Sequence, residues 1–175
     1  MSIDKKSLRR FIKAQKDLYS SLKDEQSASI IKKLEADEDF LRAQTVLLYY
    51  SLPDEVDTHA LVSRYYLKKR LLLPVVKGET LELKVFQGEL HEGTFGIQEP
   101  EGETFEAFDQ IELVVVPGMA FDKEGKRLGR GKGFYDRLLP RLTHAKKIGI
   151  CFPYQLVDDV PTTPQDIPMD KVITL

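Results

Sequence analysis

Three glycines alternate with two cations in Gly129-Arg130-Gly131-Lys132-Gly133, and this arrangement suits the binding of one anion. Glycine reaches backbone angles closed to other residues, so successive N–H groups can turn toward one guest while Arg130 and Lys132 supply charge. A polyphosphate is the natural ligand of such a nest. The segment lies between a predicted strand ending at Val116 and a predicted helix starting at Phe134, whose free N–H groups would add to the same positive field. It is not a Walker A loop, because no glycine stands five before Gly131 and Gly133 takes the place of the Ser or Thr after Lys132. It is not the dinucleotide fingerprint either. By spacing alone the loop fits a solvated turn, loosened by glycine and kept soluble by charge, equally well. Its place after a strand favours the anion reading, because open α/β sheets bind ligands at the carboxyl ends of their strands.

Other candidates carry less by themselves. Lys5 and Arg9 stand four apart, on one helical face, where two cations can close over phosphates or lie in solvent. His59 and His144 share no metal-ligand spacing, so neither is read as a ligand or acid–base group. Cys151 lies in an apolar strand and reads as a packed small side chain.

The elements that must position these residues follow from periodicity. Leu8, Phe11, Ile12 and Leu18 predict an amphipathic helix over about Asp4 to Tyr19, and Leu22, Ile30, Ile31 and Leu34 predict a second. The acidic stretch Asp37 to Asp39 then separates that helix from a strand, Thr45 to Tyr50. A helix over Asp57 to Lys69 and a strand over Leu71 to Val76 complete a β-α-β unit. Leu81 to Phe86 alternates as a strand, Gly88 to Gly102 reads as loop, and strands follow at Ile111 to Val116, Ile148 to Phe152 and Val172 to Leu175. The predicted fold is a single three-layer α/β/α domain over 1–175 with a largely parallel or mixed central sheet.

Composition sets bounds on partners. A formal net charge of -2 gives no bulk reason to expect nucleic acid or a membrane surface, so any anion site must be local. One cysteine excludes an internal disulfide, and no apolar run approaches the roughly 18 residues that span a bilayer. Met1 to Arg10 lacks the apolar core of a secretory signal, although its basic character also suits an organelle-targeting helix; cytoplasm is the simplest expectation.

Several segments together resemble one family. Pro117-Gly118, Ala120-Phe121-Asp122 and Arg127-Leu128-Gly129-Arg130-Gly131-Lys132-Gly133-Phe134-Tyr135-Asp136 are similar to the signature of the 5-formyltetrahydrofolate cyclo-ligases, also called methenyltetrahydrofolate synthetases. Lys5-x-x-Leu8-Arg9, Leu52 to Thr58, Phe95 to Pro100 and Asp166 to Asp170 resemble that family's other segments, in the same order along the chain. Two positions depart from it: Phe134 where members often have Tyr, and Gln98 where they often have Pro. The first puts in doubt any role for a hydroxyl at position 134.

What the resemblance implies is an enzyme that uses Mg-ATP to close 5-formyltetrahydrofolate into 5,10-methenyltetrahydrofolate, with ADP and phosphate released. The implied ATP site comprises Lys5, Arg9, Arg127, Leu128, Gly129, Arg130, Gly131, Lys132, Gly133, Phe134 and Tyr135, with Arg130 and Lys132 as catalytic cations. The implied folate site comprises Glu55 with Arg130, Gly131, Lys132, Gly133 and Phe134; Tyr50, at the preceding strand end, either lines that pocket or packs in the core. Asp136 and Asp166 resemble the magnesium ligands, and hard carboxylate oxygens suit Mg²⁺. The bland alternatives are a first-turn carboxylate for Asp136 and a turn-former for Asp166. No nucleic acid, membrane or protein partner is implied. Two other readings stay open at this point: a sugar-phosphate isomerase or coenzyme A transferase-like enzyme whose loop binds a substrate phosphate, and an RNA-binding module using the same cations.

Overall fold

The computed structural model describes residues 3–175; Met1 and Ser2, the start of the basic amino-terminal stretch, lie outside it. Helix α1 (Lys5–Tyr19) begins where Asp4 accepts a hydrogen bond from the Ser7 amide, an N-cap that satisfies one orphan donor. Only Leu8 and Ile12 of its stripe are buried, whereas Phe11 and Leu18 remain exposed. α2 (Lys23–Glu35) carries Asp24 and Glu25 in its first turn, as the helix dipole favours. The acidic stretch after it does more than separate: Asp37 accepts from the Asp39 and Phe40 amides and so caps α3 (Glu38–Arg42).

Strand β1 (Thr45–Leu47) leads through a turn to α4 (His59–Tyr65), a helix shorter than composition suggests, and to β2 (Arg70–Lys77). β1 and β2 pair in parallel, as the β-α-β reading requires. β3 (Thr80–Val85) turns back antiparallel to β2. The segment read as loop instead contains a hairpin, β4 (Leu90–Glu92) with β5 (Gln98–Pro100), too short and polar for its periodicity to show. β6 (Leu113–Val116) precedes a second unforeseen hairpin, β7 (Ala120–Phe121) with β8 (Arg127–Leu128). The chain closes with α5 (Phe134–Leu138), β9 (Lys146–Ile150) and β10 (Lys171–Ile173).

The main sheet runs β10-β9-β6-β1-β2-β3, parallel except at β3. Side chains alternate across it, so the central strands β1, β2 and β6 each feed two cores. Leu71, Leu73, Leu113 and Val115 pack with Ile30 and Leu34 of α2 and with Leu61 and Val62 of α4. Leu72, Val114 and Val116 pack on the opposite face with Leu138 of α5, Leu139 and Phe121. This is the three-layer α/β/α arrangement. A third cluster joins Leu8 and Ile12 of α1 to Ala120, Leu128 and Val160, seating α1 on the β7–β8 hairpin. Among the described residues no helix is long and apolar enough to cross a membrane.

That hairpin is anchored from inside its own turn. Asp122, almost fully buried, accepts from the amides of Glu124, Lys126 and Val160. Gly125, at φ +89°, exchanges backbone contact with Met169, whose amide donates to its carbonyl at 2.7 Å. A Cβ at Gly125 would stand 2.3 Å from the Met169 carbonyl oxygen. Gly125→Ala combines backbone strain with that clash, and is expected to cost about 2 kcal/mol or more. Urea denaturation checks this; a loss below roughly 0.5 kcal/mol, the level of an ordinary surface change, would mean that the carboxyl-terminal segment is not held by this turn.

Candidate active site

β1 and β6 are neighbours whose outgoing connections leave in opposite directions, one to β2 and the other to β9. A crevice opens at such a switch point, beyond the carboxyl ends of the strands. Here it is a cavity of about 580 Å³. Tyr49, Tyr50, Leu52 and Glu55 reach it from the turn after β1, and Pro117 and Gly118 from the end of β6. The remaining wall comes from α1, β2 and β3, the β4–β5 hairpin, the loop between β8 and α5, α5 itself and Asp166 of the carboxyl-terminal segment. Lys5, Arg9, Tyr50, Glu55, Arg127, Gly129, Arg130, Gly131, Lys132, Gly133, Phe134, Tyr135, Asp136 and Asp166 all line this one cavity. Leu128 does not: its side chain is 1% exposed in the cluster beneath α1, so its part is to fix the loop through packing.

Each cation in the cavity is held by a different element. Arg9 Nε donates to the Gly129 carbonyl at 2.8 Å, tying α1 to the loop. Lys5 Nζ lies 3.0 Å from Asp166 Oδ2. Arg130 donates to Asp54 at 2.6 Å and stands 3.7 Å from Glu55 Oε2. Lys132 places its ammonium 5.2 Å above the Phe95 ring, within cation–π range. Arg127 is the most buried of them, with 8% of its side chain exposed. Its Nε donates to the Pro117 carbonyl at 2.7 Å, its plane covers the Tyr135 ring at 5.2 Å, and Asp136 lies 3.7 Å from Nη1, beyond hydrogen-bond reach. Among the described residues neither terminal nitrogen of Arg127 has a hydrogen-bond partner. Burial pulls its pKa down, opposed first by Asp136. A desolvated guanidinium with free donors is chemically suited to an anion.

The loop owes its shape to fewer glycines than its sequence suggests. Gly131 and Gly133 have positive φ, at 108° and 73°, whereas Gly129 does not. Arg137 Nη2 donates to the Lys132 carbonyl at 2.8 Å and fastens the far end. α5 has five residues, too short to bring much dipole, so the positive field comes chiefly from side chains.

The opposite wall is apolar and aromatic. Glu55 is the polar group set into it, with Oε1 accepting from the Leu52 amide at 2.7 Å. Burial raises its pKa above the usual carboxylate value, although the Leu52 amide and Arg130 resist. Asp54 behaves oppositely: burial would raise it, but Arg130 outweighs burial and holds it low. Tyr50 does line the cavity, stacked on His59 at 3.9 Å between centroids, while His59 Nε2 lies 2.9 Å from the Ser51 carbonyl. Cys151 is buried, and burial pushes its thiol up to about 12, which leaves it inert.

Among the described residues no group of three or more His, Cys, Asp or Glu forms a metal cage. Asp136 and Asp166 nonetheless face the same cavity from elements thirty residues apart. Asp166 Oδ2 accepts from Lys5 and the Thr163 amide, which overcome burial and lower its pKa, whereas Oδ1 takes no hydrogen bond from the described residues. Two carboxylates beside a cation-rich loop fit Mg²⁺, which is commonly held by one or two carboxylates with phosphates and waters.

Two residues acquire a place that sequence reasoning did not give them. Phe95 adopts φ 61°, the positive-φ non-glycine residue of the described chain, and its exposed ring lies 6.3 Å from Phe134. An aromatic before Gly96 in a short Gly-rich segment was the available signal. Asp54 sits beside Glu55 in the turn after β1, and nothing in its spacing told of a partner 76 residues away.

The model of the 5-formyltetrahydrofolate cyclo-ligase family matches residues 1–175. A probable 5-formyltetrahydrofolate cyclo-ligase of Schizosaccharomyces pombe is 31% identical over 99% of this chain and 96% of its own length. The 5-formyltetrahydrofolate cyclo-ligase of Escherichia coli K12 is 34% identical over 75% of this chain and 78% of its own. Among solved structures, the 5,10-methenyltetrahydrofolate synthetase of Aquifex aeolicus superposes with a TM-score of 0.86 at 35% identity, covering 97% of this chain and 89% of that one. With a whole-chain family match, full-length relatives and a shared fold around one cation-rich cavity, the chain is an enzyme and belongs to the 5-formyltetrahydrofolate cyclo-ligase family.

Proposed function

We propose that this chain converts 5-formyltetrahydrofolate to 5,10-methenyltetrahydrofolate at the expense of ATP, in the cavity between α1, the glycine-rich loop and the turn after β1. The observation that carries this reading is the two-sided lining of that cavity. Lys5, Arg9, Arg127, Arg130 and Lys132 form a cationic wall fit for a polyphosphate, and Tyr50, Leu52 and Phe95 with buried Glu55 form a wall fit for a flat, donor-bearing ring. A sugar phosphate site would not require both. The acidic balance of the chain and the enclosure of the cations within a cavity also argue against RNA.

The chemistry explains why both walls are needed. A formamide carbon resists attack because nitrogen donates into its carbonyl, and its oxygen leaves poorly as hydroxide. Transfer of the γ-phosphoryl group to the formyl oxygen makes that oxygen a phosphate ester and releases ADP. The folate N10 then attacks the activated carbon and gives up its proton to solvent, the C–O bond breaks, and phosphate departs with the electron pair, leaving the methenyl bridge. Phosphoryl transfer depends mainly on positioning and charge stabilisation. Arg127, Lys5 and Arg9 bind the phosphates, whereas Arg130 and Lys132, on the loop nearest the opposite wall, neutralise the group in transit. Asp136 and Asp166 would hold Mg²⁺, which supplies charge neutralisation to the phosphates. Glu55 accepts from ring N–H groups of the pterin; the rise in its pKa caused by burial is offset when those donors arrive.

Three expectations follow from these roles. Methenyl-folate absorbance should appear only with folate, ATP and magnesium together, and Lys132→Ala should lower turnover about a hundredfold with an unchanged circular dichroism spectrum. Product without ATP, or turnover of the variant within threefold of the parent, would overturn the assignment. Arg127→Met replaces a desolvated guanidinium by an apolar chain of similar length, so the melting temperature should hold or rise while affinity for a non-hydrolysable ATP analogue falls about tenfold or more. Equal nucleotide affinity would remove Arg127 from the phosphate site.

The third concerns pH. The folded-state pKa of Glu55 is raised, so its contribution to stability is fully present below the unfolded value of 4.5 and is lost as pH rises through the folded one. Glu55→Gln keeps the acceptor for the Leu52 amide and cannot ionise. Its melting temperature relative to the parent should therefore climb as pH rises above about 4.5. A difference that stays flat or shrinks over that range would contradict the burial of this carboxyl.

A further inference from the structure

Arg130 is the cavity cation whose carboxylate partners, Asp54 and Glu55, come from the turn after β1. It is carried by a loop with glycine on both sides, and Gly131 has left-handed backbone. Nothing in the loop's own conformation would fix a long, flexible side chain there. The Asp54 carboxylate does so, accepting from Nη2 at 2.6 Å. Asp54 itself does not line the main cavity. It borders a small pocket behind Arg130, together with Lys13 and Lys16 of α1, whereas Glu55 and Arg130 border both spaces. Asp54 therefore holds the guanidinium from the rear.

The geometry matters because of the neighbouring carboxylate. Glu55 Oε2 is 3.7 Å from the same Nη2, one small rotation short of a hydrogen bond. An Arg130 released from Asp54 has an obvious place to go, and in going there it leaves the phosphoryl group and covers the oxygen assigned to the pterin. We infer that Asp54 is a positioning residue: it pins Arg130 from outside the cavity, aims it at the transferring phosphoryl group and keeps it off Glu55. The charged groups facing Asp54 are Arg130 and Lys16 on one sign and Glu55 on the other, and the low pKa of Asp54 keeps the pin charged across neutral pH. The Asp54–Arg130 bond thus fixes the distance between the two walls, joining the turn after β1 to the glycine-rich loop.

This inference rests on the cyclo-ligase reading, so the parent enzyme is assayed first; absence of methenyl-folate formation there sinks that reading and not the pin. The test is a double-mutant cycle of Asp54→Asn, Arg130→Ala and the double variant, each with kcat, folate KM and the dissociation constant of a non-hydrolysable ATP analogue. Asn preserves shape and removes charge. Asp54→Asn is expected to lower kcat about ten- to hundredfold, the loss that a misplaced catalytic group brings, and to raise folate KM as Arg130 moves onto Glu55. With Arg130 already removed, Asp54→Asn should change nothing further in any of the three constants. Where turnover of Arg130→Ala is too low to read, the analogue dissociation constant and folate binding measured by titration complete the cycle. Equal losses in both backgrounds, or an unimpaired Asp54→Asn, would overturn the inference. A fall in melting temperature without a change in these constants would show a merely structural role and overturn it as well.

Discussion

Bringing five cations to one cavity is the constraint around which this molecule is arranged. Lys5, Arg9, Arg127, Arg130 and Lys132 repel one another, and the chain as a whole is slightly acidic, so no general field gathers them. Each is held by a separate local partner. Asp166 meets Lys5, the Gly129 carbonyl meets Arg9, Asp136 faces Arg127, Asp54 binds Arg130, and the Phe95 ring takes Lys132. These partners come from the carboxyl-terminal segment, the loop itself, α5, the turn after β1 and the β4–β5 hairpin. The sheet order serves this gathering, because only at the crevice between β1 and β6 can so many connections converge.

The framework was legible from sequence where one physical signal dominated. Apolar runs, or alternation in the case of β3, marked each strand of the main sheet, and helical periodicity placed α1 almost to the residue and found α2. Short polar elements were not legible. β4, β5, β7 and β8 hold two or three residues each, fewer than periodicity needs, and they exist because a turn and a tertiary neighbour enforce them. The β7–β8 hairpin is the clearest case: Asp122 closes it by accepting from three backbone amides.

Legibility of the site divides in the same way. Alternating glycine and cation announced an anion loop, and the order of the motifs along the chain gave the family. Which residue compensates which charge was not readable, since Lys5–Asp166, Arg9–Gly129 and Asp54–Arg130 join positions separated by 161, 120 and 76 residues. Sequence also overstated two contributions. Gly129 is ordinary in backbone, and its close neighbour is the Arg127 side chain, so space rather than φ calls for glycine there. Leu128 sits within the motif yet faces the core beneath α1.

The strengths of the five tethers are graded, and the grading bears on how the cavity can act. Arg9 and Arg130 make short hydrogen bonds to partners behind them, at 2.8 and 2.6 Å, and so are set before any ligand arrives. Arg127 is anchored through Nε to the Pro117 carbonyl at 2.7 Å but keeps its terminal nitrogens free, with Asp136 beyond hydrogen-bond reach, and Lys132 is held by a ring face. An anion entering the cavity would gain hydrogen bonds from the terminal nitrogens of Arg127 and from Lys132 without displacing strong ones, and would find Arg9 and Arg130 already in place. Affinity depends on this surplus rather than on the number of charges, because every partner that must be broken subtracts from the gain. Were all five cations tied as firmly as Arg130, the same charge would be present and much of its attraction would be spent within the protein.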